Sequence, residues 1–167
     1  MDRKRDIKKE LEKAYGNYAD ALFRHCFFRV SNREVAVDLV QEGFLKTWRH
    51  IQKGGDVRNL RSFLYRVINN LIIDYYRKKK PESLDALQDA GFEPIVSSEE
   101  KIISNAEYNQ TLKAFEILSD EYRVILIMRF VDGMEISEIA ETLEETENNI
   151  SVRIHRGLKQ VKKYLKL

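Results

Sequence analysis

The side chains best suited to chemistry lie near the end of the chain, in TENNISVRIHRGLKQVKKYLKL (Thr146–Leu167). Asn and Arg present donors and acceptors that match the edges of adenine and guanine, and an exposed valine can meet a thymine methyl. Asn148, Asn149, Val152, Arg156, Lys159 and Lys163 fall on one side of a helical wheel, with Ser151, Arg153 and His155 on its flanks. From Ser151 onward there are six Lys and Arg and no acidic side chain. Lysines further along have the reach for phosphates, which position a helix without reading sequence. The pattern predicts a helix whose polar face touches DNA.

The other side of that helix must be held. Ile150, Ile154, Leu158, Val161 and Leu165 recur at steps of four, four, three and four, which makes one apolar face. The preceding ISEIAETL offers Ile139, Ala140 and Leu143 as a matching face on a shorter helix. A short helix, a turn of about three residues and a longer helix have the proportions of a helix-turn-helix. A plain helical hairpin needs similar apolar spacing.

Two further helices carry polar residues with no obvious core role. In EVAVDLVQEGFLKTWRHI the apolar face is Val37, Val40, Phe44, Trp48 and Ile51, and beside it runs Asp38, Gln41, Glu42, Leu45 and Arg49. An exposed leucine among hydrogen-bonding groups favours a protein partner. In LRSFLYRVINNLIIDYYRKKK the apolar face is Leu64, Val67, Ile68, Leu71 and Tyr75, and Ser62, Arg66, Asn69, Asn70, Ile73 and Arg77 share the other. Phe63, Tyr65, Tyr75 and Tyr76 are interleaved, and basic groups among aromatic rings suit single-stranded nucleic acid. KGGDVRN (Lys53–Asn59) separates these two helices.

The remaining organisation is helical throughout. A first helix runs from about Lys8 to Val30, with Leu11, Tyr15, Tyr18, Leu22 and Cys26 in one stripe. After the basic block Arg77–Lys80 comes PESLDALQDAGFEPIVSS, which holds both prolines, has acidic residues but no basic one, and keeps no period. It reads as a linker. A helix from about Glu99 to Leu118 follows, then LSDEYRVILIMRFVDG, where Ser119 is placed to cap the start and Gly133 to end it.

Composition bounds the function. The 167 residues are 43% hydrophobic and 34% charged, with net charge +2 and only seven Gly and two Pro. Two basic patches in a near-neutral chain fit an extended polyanion. No apolar run is long enough for a membrane span, the start lacks the core of a secretory signal, and the expected compartment is the cytoplasm. Cys26 is the single cysteine, so no intramolecular disulfide or Cys-based zinc site is expected, and it reads as a buried small hydrophobe. His25, His50 and His155 are scattered, and no HExxH or P-loop is present. Catalysis, a metal and a cofactor are therefore not expected. A stand-alone regulator binding duplex DNA would account for the end of the chain but leaves the two middle faces without a role.

DLVQEGFLKTW (Asp38–Trp48), LRSFLYRVINNLIIDYYRKKK (Leu60–Lys80), LSDEYRVILIMRFVDGMEISEIAETL and SVRIHRGLKQVKKYL together resemble a group IV bacterial sigma factor, of the extracytoplasmic-function (ECF) class. The resemblance implies an all-α fold of two small domains: region 2 over residues 1–80, a linker over 81–98, and region 4 over 99–167. It implies docking on core RNA polymerase through Asp38, Gln41, Glu42, Leu45 and Trp48. Minus-ten capture and support of the melted strand would fall to Arg58, Asn59, Arg66, Asn69, Asn70 and Arg77, with the loop from Lys53 to Asn59. Minus-thirty-five reading would fall to Asn148, Asn149, Ser151, Val152, Arg153 and Arg156. The expected partners are core RNA polymerase, promoter DNA and an anti-sigma factor, which could hold the chain at the membrane; in holoenzyme it would lie on the nucleoid. Glu135 stands where the family usually has a Ser or Thr cap, Glu144 where the turn is commonly glycine, and Glu145 where an apolar turn residue is usual. Ser151 replaces a frequent Lys or Arg. Gly157 replaces a frequent Ala, at a cost of about 0.5–1 kcal/mol in helix propensity.

Overall fold

The computed structural model describes residues 2–79 and 106–167, with side chains from 6 and from 109 onward in each stretch. All regular structure among these residues is helical. The expected linker, and the start of the helix expected from Glu99, lie outside them.

The first lobe is α1 (Asp2–Val30), α2 (Arg33–Gln52) and α3 (Leu60–Lys79). α1 stops where Ser31 turns left-handed (φ 51), and Asn32 starts α2 by accepting the Val35 N–H at 3.0 Å on its side-chain oxygen. Paired glycines end α2, the first at φ +86. Asn59 then starts α3, its side-chain oxygen taking the Ser62 N–H at 3.2 Å. Leu22 and Cys26 from α1 meet Leu39, Val40 and Phe44 from α2 and Leu64, Ile68 and Ile72 from α3. At the α2–α3 crossing a Cβ on Gly43 would sit 2.7 Å from Ile68 Cγ1, so glycine is what lets the two helices close.

The second lobe is α4 (Ala106–Glu116), α5 (Asp120–Leu126), a π-helical turn (Ile127–Val131), α6 (Ile136–Leu143) and α7 (Glu147–Leu165). Ser119 occupies the cap position of α5 with extended backbone, yet its hydroxyl makes no capping bond. The junction is secured instead by Arg123, whose guanidinium donates to the carbonyls of Phe115, Glu116 and Leu118 at 2.8, 2.9 and 2.9 Å. These carbonyls lie at and just beyond the end of α4, where helical N–H partners run out. Thr146 caps α7 by accepting the Asn149 N–H at 3.2 Å. Gly157 is buried against α5, where a Cβ would come within 3.0 Å of Leu126 Cδ1. The propensity cost of that glycine thus accompanies a close helix crossing.

Three details of the expected pattern change in the structure. Tyr15 and Val37, assigned to apolar stripes, are 49% and 37% exposed. In α3 the fully buried positions are Leu64, Tyr65, Ile68 and Ile72, while Val67, Leu71 and Tyr75 are half-buried. The second lobe lies against the first, and the apolar cluster of α1–α3 continues into Val124, Ile125, Met128, Met134, Ile139, Ala140 and Ile150. Burial of α3 is therefore set from two sides, and its own periodicity registers only one.

Candidate polymerase and nucleic-acid interfaces

The outer stripe of α2 is open. Asp38, Gln41 and Leu45 are exposed and Glu42 is half-buried. Trp48 is half-buried and lines a shallow apolar groove with Leu11, Tyr15 and Phe44, bordered by Lys8 and Glu12. An apolar groove beside carboxylates and an amide is a surface that a protein can cover, with charge to choose the partner.

The polar face of α7 is open as well. Asn148, Asn149, Ser151, Val152, His155, Arg156, Lys159 and Lys163 are exposed, while Ile150 and Gly157 are buried and Ile154, Leu158 and Val161 half-buried. The exposed cationic run along the helix suits phosphates, and its first turns carry Asn and Arg side chains whose donors and acceptors match base edges. Arg153 differs from its neighbours. Its guanidinium donates to the Glu145 carboxylate and, at 2.7 Å, to the Glu121 carbonyl. The two departures Glu144 and Glu145 have roles here: Glu145 holds Arg153, and Glu144 turns the chain left-handed at φ 56. That backbone conformation costs a non-glycine residue roughly 1–2 kcal/mol.

α3 is divided. Arg58, Asn59, Asn70 and Arg77 are exposed, with Arg77 paired to Asp74 at 2.6 Å and Asn59 engaged in its cap. Arg66 points into the second lobe and Asn69 toward α1. Arg66 donates to the carbonyls of Thr142 and Glu141 at 3.4 and 3.3 Å and lies 3.2 Å from the Glu144 carboxylate. Asn69, expected on the free face, is buried. Of the interleaved rings, Tyr65 is core, Phe63 lies 4.9 Å from the His50 ring, and the Tyr76 hydroxyl donates to the Arg29 carbonyl.

The residues that capture Asn69 were not singled out by the sequence. His25 and Arg29, one turn apart on α1, are buried. Arg29 donates to Asn69 Oδ1 at 2.9 Å and to both oxygens of Asp120 at 2.9 and 3.0 Å. A guanidinium can only donate, so the oxygen of Asn69, not its nitrogen, faces this site. His25 Nε2 lies 2.9 Å from that same oxygen, and Nδ1 lies 2.8 Å from Asp132 Oδ2. Both ring nitrogens face acceptors, and the two bonds are complete only when each nitrogen carries a hydrogen. Arg61 donates to the Glu138 carboxylate at 3.0 Å and to the Asp132 carbonyl at 3.2 Å.

Burial shapes the chemistry of this cluster. It pulls the Arg29 guanidinium down from its usual range, and the facing Asp120 opposes that pull. It pushes the Tyr65 hydroxyl up, with the nearby Asp132 carboxylate adding to the effect. The Cys26 thiol is pushed up to about 12 by burial, so it is inert. The signal for the cluster was present in the sequence as two polar residues, His25 and Arg29, interrupting the apolar stripe of α1.

One three-helix lobe with an open polar, leucine-bearing stripe and a second lobe ending in a helix-turn-helix define a class: proteins built from regions 2 and 4 of sigma-70. The Sigma-70 region 2 family model matches residues 14–82, and the Sigma-70, region 4 model matches residues 108–161. The chain belongs to the sigma-70 family, in its group IV, extracytoplasmic-function form. It is similar to the ECF RNA polymerase sigma factor SigW of Bacillus subtilis (strain 168), at 28% identity over 98% of this chain and 95% of that one. RNA polymerase sigma factor SigV of the same strain is 26% identical, with 95% and 93% covered. Among solved structures, the fold matches the sigma factor RpoE in complex with the anti-sigma factor NepR from Bartonella quintana. There the TM-score is 0.74 at 22% identity, over 95% of this chain and 98% of that chain. It also matches CnrH in complex with the cytosolic domain of CnrY, with a TM-score of 0.71 at 18% identity over 95% and 89%. No helix among the described residues is long and apolar enough to cross a membrane.

Proposed function

We propose that the chain binds core RNA polymerase and directs it to promoters, acting in the cytoplasm as a recognition subunit without catalysis of its own. The α2 stripe of Asp38, Gln41, Glu42 and Leu45, with Trp48 beside it, is the docking surface. Arg58, Asn59, Asn70 and Arg77, together with Arg66 and Asn69 once accessible, take the minus-ten element and its melted strand. Asn148, Asn149, Ser151, Val152 and Arg156 read the minus-thirty-five element, and Arg153 supports the turn that presents them. The observation that carries this reading is the open polar face of α7, in the same chain as an open acidic and leucine-bearing stripe on α2. A duplex-only regulator has no use for the second of these. An anti-sigma factor gripping the same surfaces fits the complexes in which the structural neighbours were solved.

The test is reconstitution with core polymerase on a genomic library, with mapping of transcript starts. Starts that share two spaced upstream elements support the proposal. Asp38→Lys with Glu42→Lys should abolish association with core, because like charges brought together across an interface cost several kcal/mol. Normal holoenzyme formation by that variant would refute the docking stripe.

A further inference from the structure

The turn between α2 and α3 carries Arg58 and Asn59, which the proposed function assigns to the minus-ten element. Little within the turn fixes where they point. Asp56 and Arg58 face each other at 3.9 Å with side chains 85% and 94% exposed, a pair too solvated to hold a backbone. Order must come from the two ends. At the far end Asn59 caps α3, and its backbone carbonyl accepts the Phe63 N–H at 3.0 Å. At the near end Gly54, at φ +86, donates to the Ile51 carbonyl and Gly55 to the His50 carbonyl, both at 3.0 Å. Those two bonds, made by the two residues that follow the cap residue Lys53, are the Schellman closure of a helix.

A Schellman closure is commonly sealed by an apolar contact between the residue that opens it, here His50, and the residue after the left-handed glycine, here Gly55. Gly55 has no side chain to offer. The His50 imidazole takes that place: a Cβ on Gly55 would overlap its Nε2, Cδ2 and Cε1 atoms. The same ring meets Phe63 in the first turn of α3, with centroids 4.9 Å apart and planes inclined by 32°. One side chain therefore touches both ends of the turn, Gly55 before it and Phe63 after it. These contacts are with a backbone and a ring, so the shape of the imidazole does the holding rather than a hydrogen bond from its nitrogens.

We propose that His50 is a positioning residue for the minus-ten turn: its ring, wedged between Gly55 and Phe63, fixes the path of residues 56–59 and so the direction in which Arg58 and Asn59 meet a base. This rests on the proposed function for what the turn binds, whereas the wedge itself is a property of the free chain. His50 acts through its neighbours and does not itself bond the base. A turn held in one path presents its donors and acceptors to one base pattern, and ordering it on binding costs little. A turn released from the ring can shift to meet a wrong base, so discrimination falls along with affinity.

Two readouts test it, one on the free chain and one on holoenzyme. His50 is exposed, so replacing it removes nothing from the core. Trypsin cleavage after Arg58 reports local opening of the turn. His50→Ala should raise that rate at least fivefold, read by mass spectrometry, with the thermal midpoint nearly unchanged. His50→Phe, which keeps a flat ring, should restore the native rate. In holoenzyme, on promoters mapped for the unmodified chain, His50→Ala should lose about tenfold in discrimination between the native minus-ten element and one with a single base changed. Core association and minus-thirty-five discrimination should stay within twofold, and His50→Phe should recover the loss. Gly55→Ala should match the loss by displacing the ring, and the two losses should not add in the double variant. Unchanged cleavage or unchanged discrimination in His50→Ala, additive losses, or a His50→Phe variant that recovers nothing would overturn the wedge and leave the proposed function standing. Faster cleavage in a chain that never associates with core polymerase would instead remove the proposed function, and with it the part of His50 in recognition.

Discussion

The two polar faces proposed to meet DNA use the same residue types and have different surroundings. On α7, Asn148, Asn149 and Arg156 stand exposed, held only by the helix beneath them. On α3, Asn69 is buried and Arg66 is tied to the end of α6. The difference lies in what packs behind each face. α7 is the outer helix of its lobe, whereas α3 lies between its own partners and the second lobe. A polar face predicts a surface only where nothing else reaches it.

The contrast can be broken most forcefully on the open side. Asn148→Ala with Arg156→Ala should cost about 1–3 kcal/mol per base contact, roughly additive for separated positions. Promoter competition with holoenzyme should therefore show a loss of about thirtyfold or more, with thermal stability unchanged. On the covered side the effect should appear in stability instead. Asp132→Ala leaves the buried His25 without its carboxylate partner, at about 1–3 kcal/mol, and should lower the thermal midpoint of the free chain. A midpoint equal to that of the unmodified chain would show that this contact contributes nothing.

Arg153 sharpens the comparison within α7 itself. Neighbouring Arg156 in sequence, it is bonded to Glu145 and the Glu121 carbonyl. Arg153→Ala should therefore lower stability by about 0.5–1.5 kcal/mol and affect promoter choice less than Arg156→Ala does. Equal loss of recognition from the two variants would place Arg153 among the base readers after all. The smallest expected effect is at Lys159. Removing one phosphate contact should reduce the slope of log affinity against log salt by about 0.9 and leave promoter preference as it was.

Much of this organisation is legible in the amino-acid sequence. The stripe Ile150, Ile154, Leu158, Val161 and Leu165 turns inward and the opposite face outward, as the periodicity requires. The α2 stripe likewise faces solvent. What the sequence hides depends on contacts between distant segments. Asn69 reads as free because its burial comes from His25 and Arg29, forty-four and forty positions away in the chain. Asp132 follows a π-helical turn in which its N–H bonds the Ile127 carbonyl at 2.9 Å. Such a turn inserts one extra residue and shifts the helical register, which no apolar period announces. Gly157 reads as a propensity defect, and only the approach of Leu126 shows the close crossing it permits.

DNA protection on a mapped promoter, with and without core polymerase, is the most direct measurement. The account predicts that the chain alone leaves the duplex unprotected at concentrations where, together with core polymerase, it protects both upstream elements and opens the start site. Equal protection by the chain alone, or no change on adding core polymerase, would contradict it.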